Sequence, residues 1–201
     1  MHNLILVRHG QSHWNKDRRF TGWADIGLNK KGESEAEYAG KLIKNLNIDF
    51  HKCFTSKLKR AINSLNIILK VLGKENINIT KNSALNERHY GGLTGLNKDE
   101  TIKKYGIKQV QVWRRSFDTP PPEMEYDHPF KNKINSNIKS ESLKDALDRI
   151  VPYYKREIEP LISLNKNIIL NDLSTLWLAP IFKIYGYNVI SLLHLKFLLK
   201  L

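Results

Sequence analysis

The sequence predicts an α/β fold of three layers, with a mostly parallel sheet flanked by helices. Two observations point there. Short apolar stretches at 3–8, 50–56 and 167–170 lack the alternation of a half-exposed strand, as expected of strands covered on both faces. Amphipathic stretches with helical spacing lie between them, so strands and helices alternate along the chain. No internal repeat or linker divides the 201 residues, a length that suits one core of ordinary size.

Each element has its own signal. Asn3-Leu4-Ile5-Leu6-Val7 runs straight into Arg8-His9, which marks a core strand rather than a secretion leader. From Gly32 to Asn47, Ala36, Ala39, Leu42, Ile43 and Leu46 form a helical stripe. Phe50 to Ser56 is a weaker strand. Ser56 to Leu72 is predicted helical, with Ala61, Leu65, Ile68, Leu69 and Leu72 on one side and Gly73 as its stop. Ile77-Asn78-Ile79-Thr80 alternates like a third strand. Ser140 to Ile158 is predicted helical around Leu143, Ala146, Leu147 and Ile150, with a kink or a shifted end at Pro152. Asn167 to Leu170 is the fourth strand. Between Arg88 and Lys139 lies a Gly-, Pro- and charge-rich insertion, expected to be extended over the site.

Composition narrows the partners. The formal charge is +13, with 24 lysines and 19 asparagines against 7 alanines, a drift expected of an AT-rich genome. The lysines are scattered, and no basic run with interleaved aromatics stands out, so nucleic acid is not the expected partner. No apolar run is long enough to cross a bilayer, and no membrane partner is expected. The single cysteine, Cys53, rules out an intrachain disulfide and suits a reducing cytoplasm.

In an open parallel sheet, ligands bind beyond the carboxyl ends of the strands. The first strand delivers Arg8-His9-Gly10 there, the second Ser56-Lys57 and then Arg60, and the stretch after the third Glu87-Arg88-His89-Tyr90-Gly91-Gly92. Lys98 and Arg114-Arg115 add cations. Guanidinium forks match phosphate oxygens, an imidazole can accept a phosphoryl group, and a carboxylate can carry a proton to or from a hydroxyl. The sequence has no P-loop, no metal-ligand spacing and no Gly-x-Ser-x-Gly elbow, which favours phosphate chemistry without a metal.

Leu6-Val7-Arg8-His9-Gly10-Gln11-Ser12-x-x-Asn15 resembles the Arg-His-Gly signature of the histidine phosphatase superfamily. Phe20 to Leu28 (FTGWADIGL), Leu85 to Lys98 (LNERHYGGLTGLNK) and Val112 to Asp118 (VWRRSFD) are similar to the 2,3-bisphosphoglycerate-dependent phosphoglycerate mutases within it. The resemblance covers about residues 1–170 and implies a role for each residue. His9 would carry the phosphoryl group, and Glu87 would move the proton of the substrate hydroxyl. Arg8, Asn15, Thr21, Gly22 and Arg60 would hold phosphate and substrate. Tyr90, Lys98, Arg114 and Arg115 would grip the far phosphate or carboxylate. The implied reaction is the glycolytic interconversion of 2-phosphoglycerate and 3-phosphoglycerate, primed by 2,3-bisphosphoglycerate and needing no metal. Relatives of this kind are commonly homodimers or homotetramers. A phosphatase of the same superfamily and a catalytically dead relic are the alternatives.

After the fourth strand the pattern breaks. The family continues Ala-His-Gly-Asn-Ser, its histidine stabilising charge on the transferring phosphoryl group; this chain reads Asn171-Asp172-Leu173-Ser174-Thr175. Residues 171–201 therefore read as a divergent or frameshifted tail without the family's later helix and strand signals, and the activity as impaired or lost. Independent sequencing across codon 171 is expected to show a shifted frame; an intact frame assigns the tail to genuine divergence.

Overall fold

The computed structural model describes residues 3–134 and 136–171, together with the backbone of 189–192. Five strands form one sheet: β1 (Leu4–Val7), β2 (Lys52–Thr55), β3 (Ile79–Lys81), β4 (Ile168–Asn171) and β5 (Val189–Leu192). Their order is β3-β2-β4-β1-β5, and every pairing is parallel. The helices are α1 (His13–Lys16), α2 (Lys30–Asn45), α3 (Lys59–Leu72), α4 (Lys98–Tyr105), α5 (Ile107–Arg115), α6 (Leu143–Tyr153) and α7 (Glu159–Ser163).

Strand residues alternate between two cores, because successive side chains leave opposite faces of a sheet. Ile5, Val7, Cys53 and Ile169 pack on Ile43 of α2 and on Leu65, Ile68 and Leu69 of α3. Leu4, Leu6, Phe54, Ile168 and Leu170 pack on Leu85 and on Ile150, Tyr153, Ile158 and Ile162 from the helical segments 143–163. These are the three layers expected of the sequence.

Local chemistry sets the boundaries. Asn29 accepts the Gly32 amide, so α2 starts two residues before the apolar stripe suggests. Gly73 ends α3 in the left-handed region at φ 66°, where a residue with a Cβ is strained. At its other end α3 has no cap of its own, and Asp25 from the 20–28 loop accepts the Lys59 amide at 2.7 Å. Pro152 does not break α6. α6 ends one residue past it at Tyr153, and 154–158 then winds as a π-helical turn before α7.

Two expectations change. The 88–139 insertion is not simply extended: α4 and α5 lie within it. Asn97 caps α4 by accepting the Asp99 and Glu100 amides, and Gly106 separates the pair at φ 78°. The tail, read as without the family's later helix and strand signals, supplies β5, whose backbone pairs with β1 from Leu4↔Val189 to Val7↔Leu192. Residues 172–188 and 193–201 lie outside the described residues, Asp172 among them.

At the carboxyl end of β1 the chain passes so close to α2 that a Cβ on Gly10 would stand 2.1 Å from the Gly32 carbonyl oxygen. Both partners are backbone, so neither can swing aside. Gly10→Ala is expected to cost about 3 kcal/mol or more in urea unfolding. Gly27→Ala, where a Cβ meets nothing within 4 Å, serves as the control.

Candidate active site

The site forms where β1, the first turn of α3 and the 86–90 segment meet. His9 leaves β1 with its Nδ1 2.7 Å from the Gly10 carbonyl oxygen. A carbonyl only accepts, so Nδ1 carries the ring proton and Nε2 presents its lone pair. Arg60 Nε donates to that Nε2 at 3.1 Å.

Arg60 is fully buried and uses its whole fork. Besides His9, it donates to the carbonyls of Gly22 at 2.7 Å and Ala24 at 3.1 Å. Its remaining contact is an ion pair with Glu87 Oε2 at 2.8 Å. A buried guanidinium is tolerable only when its donors are met, and here each donor group fixes a different part of the site. The result holds His9, the 22–24 loop and Glu87 to one planar group.

The other predicted residues are placed as follows. Gly22 has φ 50°, and a Cβ there would meet the Tyr90 amide nitrogen at 3.0 Å. Thr21 is buried, and its Oγ1 has no hydrogen-bond partner among the described residues. Asn15 closes a capping box with Ser12 at the head of α1. Arg8 is half-buried at the end of β1. Tyr90 packs against Phe20, ring centroids 5.2 Å apart, and the Arg88 guanidinium lies over its ring at 4.9 Å.

Lys98 sits at the head of α4 with Phe20 5.7 Å below its ammonium. Burial holds its pKa below the ordinary lysine value, and the charge of Arg114 lowers it further. Arg18 and Arg8 push the same way, against the pull of Glu87. Lys98, Arg114, Arg8 and Glu87 thus share one electrostatic neighbourhood. Arg115 is exposed and lines a shallow surface depression with Ile107, Lys108, Gln111 and Val112. One helical step turns it about 100° from Arg114, so the two are not a unit.

Several contacts around the site were not legible in the sequence. Trp23 Nε1 donates to the Glu87 carbonyl at 2.5 Å, and Arg88 donates to the carbonyls of Trp113 and Arg114, tying α5 to the site. Glu141 and Arg149 stand behind Glu87, though they lie more than fifty residues along the chain. Only the Ser142–Asp145 capping box beside Glu141 marks that place in the sequence.

Among the described residues, no group of three or more His, Cys, Asp and Glu side chains could hold a metal ion. No helix among them is long and apolar enough to cross a membrane.

Known proteins resemble this chain in sequence and fold. Residues 4–155 match the family profile described as Histidine phosphatase superfamily (branch 1). The chain belongs to that superfamily. It is 44% identical over 177 residues to a 2,3-bisphosphoglycerate-dependent phosphoglycerate mutase of Sphingopyxis alaskensis, covering 85% of this chain and 78% of that one. With a protein of the same name from Hamiltonella defensa it shares 47% over 176 residues, 83% of this chain and 71% of the other. A crystal structure of a phosphoglycerate mutase from Bacillus anthracis superposes with a TM-score of 0.61 at 22% identity, covering 84% and 73% of the two chains. At that identity the likeness is one of fold.

His89, buried beside Glu87, yields a pH prediction. Its Nδ1 accepts the Gly91 amide at 3.0 Å, so Nε2 carries the proton, buried without a partner among the described residues. Burial pushes its pKa down to about 4; Glu141 opposes this, while Lys131, Arg149 and His128 add to it. Below pH 6.5 the unfolded chain takes up a proton that the folded chain refuses until about pH 4. The stabilising effect of the neutral ring is therefore whole above pH 6.5 and lost as pH falls toward 4, by about 2–3 kcal/mol. His89→Asn keeps an acceptor for Gly91 without a titrating ring. Urea unfolding at pH 7 and pH 4.5 should show a flatter dependence for the variant.

Proposed function

We propose that the chain interconverts 2-phosphoglycerate and 3-phosphoglycerate through a phosphoryl group carried on His9 Nε2. The observation behind this is the contact set of Arg60: the nitrogen that would take the phosphorus and the carboxylate that would move the proton share one guanidinium. The names of the 44% and 47% identical relatives support the same reading.

The residues present fit a bisphosphorylated primer. Cations crowd the rim around Lys98, and Thr21 offers a buried hydroxyl without a partner among the described residues. Arg8, Asn15, Thr21, Gly22 and Arg60 would hold the transferring phosphate, and Tyr90, Lys98 and Arg114 the distal anion. Arg115, exposed on another side of α5, would reach only a ligand that extends past Arg114. Bound 2,3-bisphosphoglycerate supplies the phosphoryl group that charges His9.

This chain's residues do the rest. In the charged enzyme, Glu87 takes the proton from a hydroxyl of phosphoglycerate while that oxygen bonds to phosphorus and the bond to Nε2 breaks. In the reverse sense Glu87 protonates the departing alkoxide as Nε2 takes the phosphoryl group. Positioning and neutralisation of oxygen charge supply most of the acceleration in such transfers. Arg60 and the neighbouring cations provide both. We place the reaction in the cytoplasm, where a lone buried thiol stays reduced.

The relic reading has one observation in its favour. No histidine stands just beyond β4, where Asn171 is followed by Asp172, so a stabiliser of transition-state charge is missing from the sequence. The expected loss is on the order of 10²–10³ in rate.

Incubation with 2,3-bisphosphoglycerate labelled in its phosphoryl groups is expected to leave acid-labile label on the protein, absent in His9→Ala. Transfer of that label to 3-phosphoglycerate marks a mutase, and release only as inorganic phosphate marks a phosphatase. No label on the wild-type chain overturns the reading and leaves a relic. Glu87→Gln is expected to lower transfer to 3-phosphoglycerate by 10²–10⁴.

A further inference from the structure

Around Glu87 the backbone is gripped at residues 83, 84, 86, 87 and 89 by side chains that have no part in the chemistry described above. Arg149 of α6 donates through Nη1 to the carbonyls of Asn86 at 3.2 Å, Ala84 at 2.9 Å and Ser83 at 3.2 Å. Trp23 donates to the carbonyl of Glu87 itself. Glu141 Oε2 accepts the His89 amide at 2.8 Å, and the Glu141 amide returns a bond to the His89 carbonyl at 3.0 Å.

The three side chains also hold one another. Arg149 and Glu141 form a two-point ion pair, Nε to Oε1 at 2.7 Å and Nη2 to Oε2 at 2.9 Å. The Arg149 guanidinium lies over the Trp23 ring at 5.3 Å. His89 also packs on the Trp23 ring, centroids 5.4 Å apart. Glu141 is 2% exposed, so its charge is expensive to keep there without Arg149.

We infer that Glu141, Arg149 and Trp23 are positioning residues for the Glu87 carboxylate. The inference rests on Glu87 being the proton carrier proposed above. A burial of this cost could be met for stability alone by apolar side chains. The bonds, however, converge on 86–89 and fix the residue before Glu87, its own carbonyl and the second residue after it. Arg60 takes the carboxylate end. A proton shuttle must reach both the leaving and the attacking oxygen, and misplacement by about 1 Å can cost on the order of 10² in rate.

The leaving group separates this role from a merely structural one. An alkoxide departing from phosphoglycerate needs a proton, whereas 4-nitrophenolate departing from 4-nitrophenyl phosphate does not. Two variants are compared with wild type and Glu87→Gln. Trp23→Phe keeps a ring under Arg149 and removes only the N–H. Arg149→Lys keeps the charge and removes the fork.

Each variant is expected to lower transfer from phosphorylated His9 to 3-phosphoglycerate by about ten-fold or more. Each should keep 4-nitrophenyl phosphate cleavage within about two-fold and add nothing to the loss of Glu87→Gln. Equal losses with both phosphates, or full transfer in Trp23→Phe, overturn the positioning role while Glu87→Gln still shows its defect. If Glu87→Gln itself transfers at the wild-type rate, the proposed proton carrier fails, and the two failures are told apart.

Discussion

The site depends on one buried cation. Arg60 has no exposed surface, and an isolated guanidinium in that place would be strongly destabilising. Its position is acceptable only because His9, Gly22, Ala24 and Glu87 all accept from it. The dependence runs the other way as well. The 20–28 loop that holds Gly22 and Ala24 also carries Asp25, which caps α3, and α3 is the helix that delivers Arg60. Ser64, one turn beyond, donates to the Arg60 carbonyl and accepts the Gly10 amide, so the exit from β1 is tied to the same helix. Loop, strand exit and helix are thus one cooperative unit, and losing any acceptor strands a buried charge.

How much of this could be read from sequence follows from the range of the forces involved. β1 and β4 announce themselves because their burial is continuous and α3 because its buried residues recur at helical spacing, and His9, Arg60 and Glu87 fall within stretches a few residues long. The positions of α4 and α5 were hidden by composition: their mean polarity is high, and only Thr101 and Val110 are fully buried on them. Arg149 and Glu141 were hidden by distance. Nothing local distinguishes an arginine on a helix face from a solvated one; its partners come from 83–86, some sixty residues earlier. Signals that need the fold to exist first cannot be seen in a linear pattern.

The tail shows the same limit from the other side. Read alone, Val189-Ile190-Ser191-Leu192 is only an apolar patch. β1 is buried on both faces and pairs with β4 along one edge, so its other edge offers a row of unpaired amides and carbonyls. A short β-branched segment satisfies them whatever its relation to the family. At the neighbouring strand, Asn171 lies in a row with Val7 and Thr55 just under the rim. Asn171 donates to the Ala61 carbonyl on α3, yet its Oδ1 and the Thr55 Oγ1 lack partners among the described residues.

Two guanidiniums, finally, divide one task. Arg60 fixes the Glu87 carboxylate and Arg149 the backbone just before it. Lysine could supply either charge, but not several donors in a rigid plane at set angles. Proton transfer between a carboxylate and a substrate oxygen is steep in distance, whereas attraction for a phosphate is broad and falls off slowly. The diffuse requirement is met by half-buried cations such as Lys98 and Arg114, whose mutual repulsion a phosphorylated ligand relieves. The sharp requirement is met by forks with every donor group engaged. This division explains why the chain tolerates scattered lysines around the rim yet concentrates its buried charge on the few residues that locate Glu87.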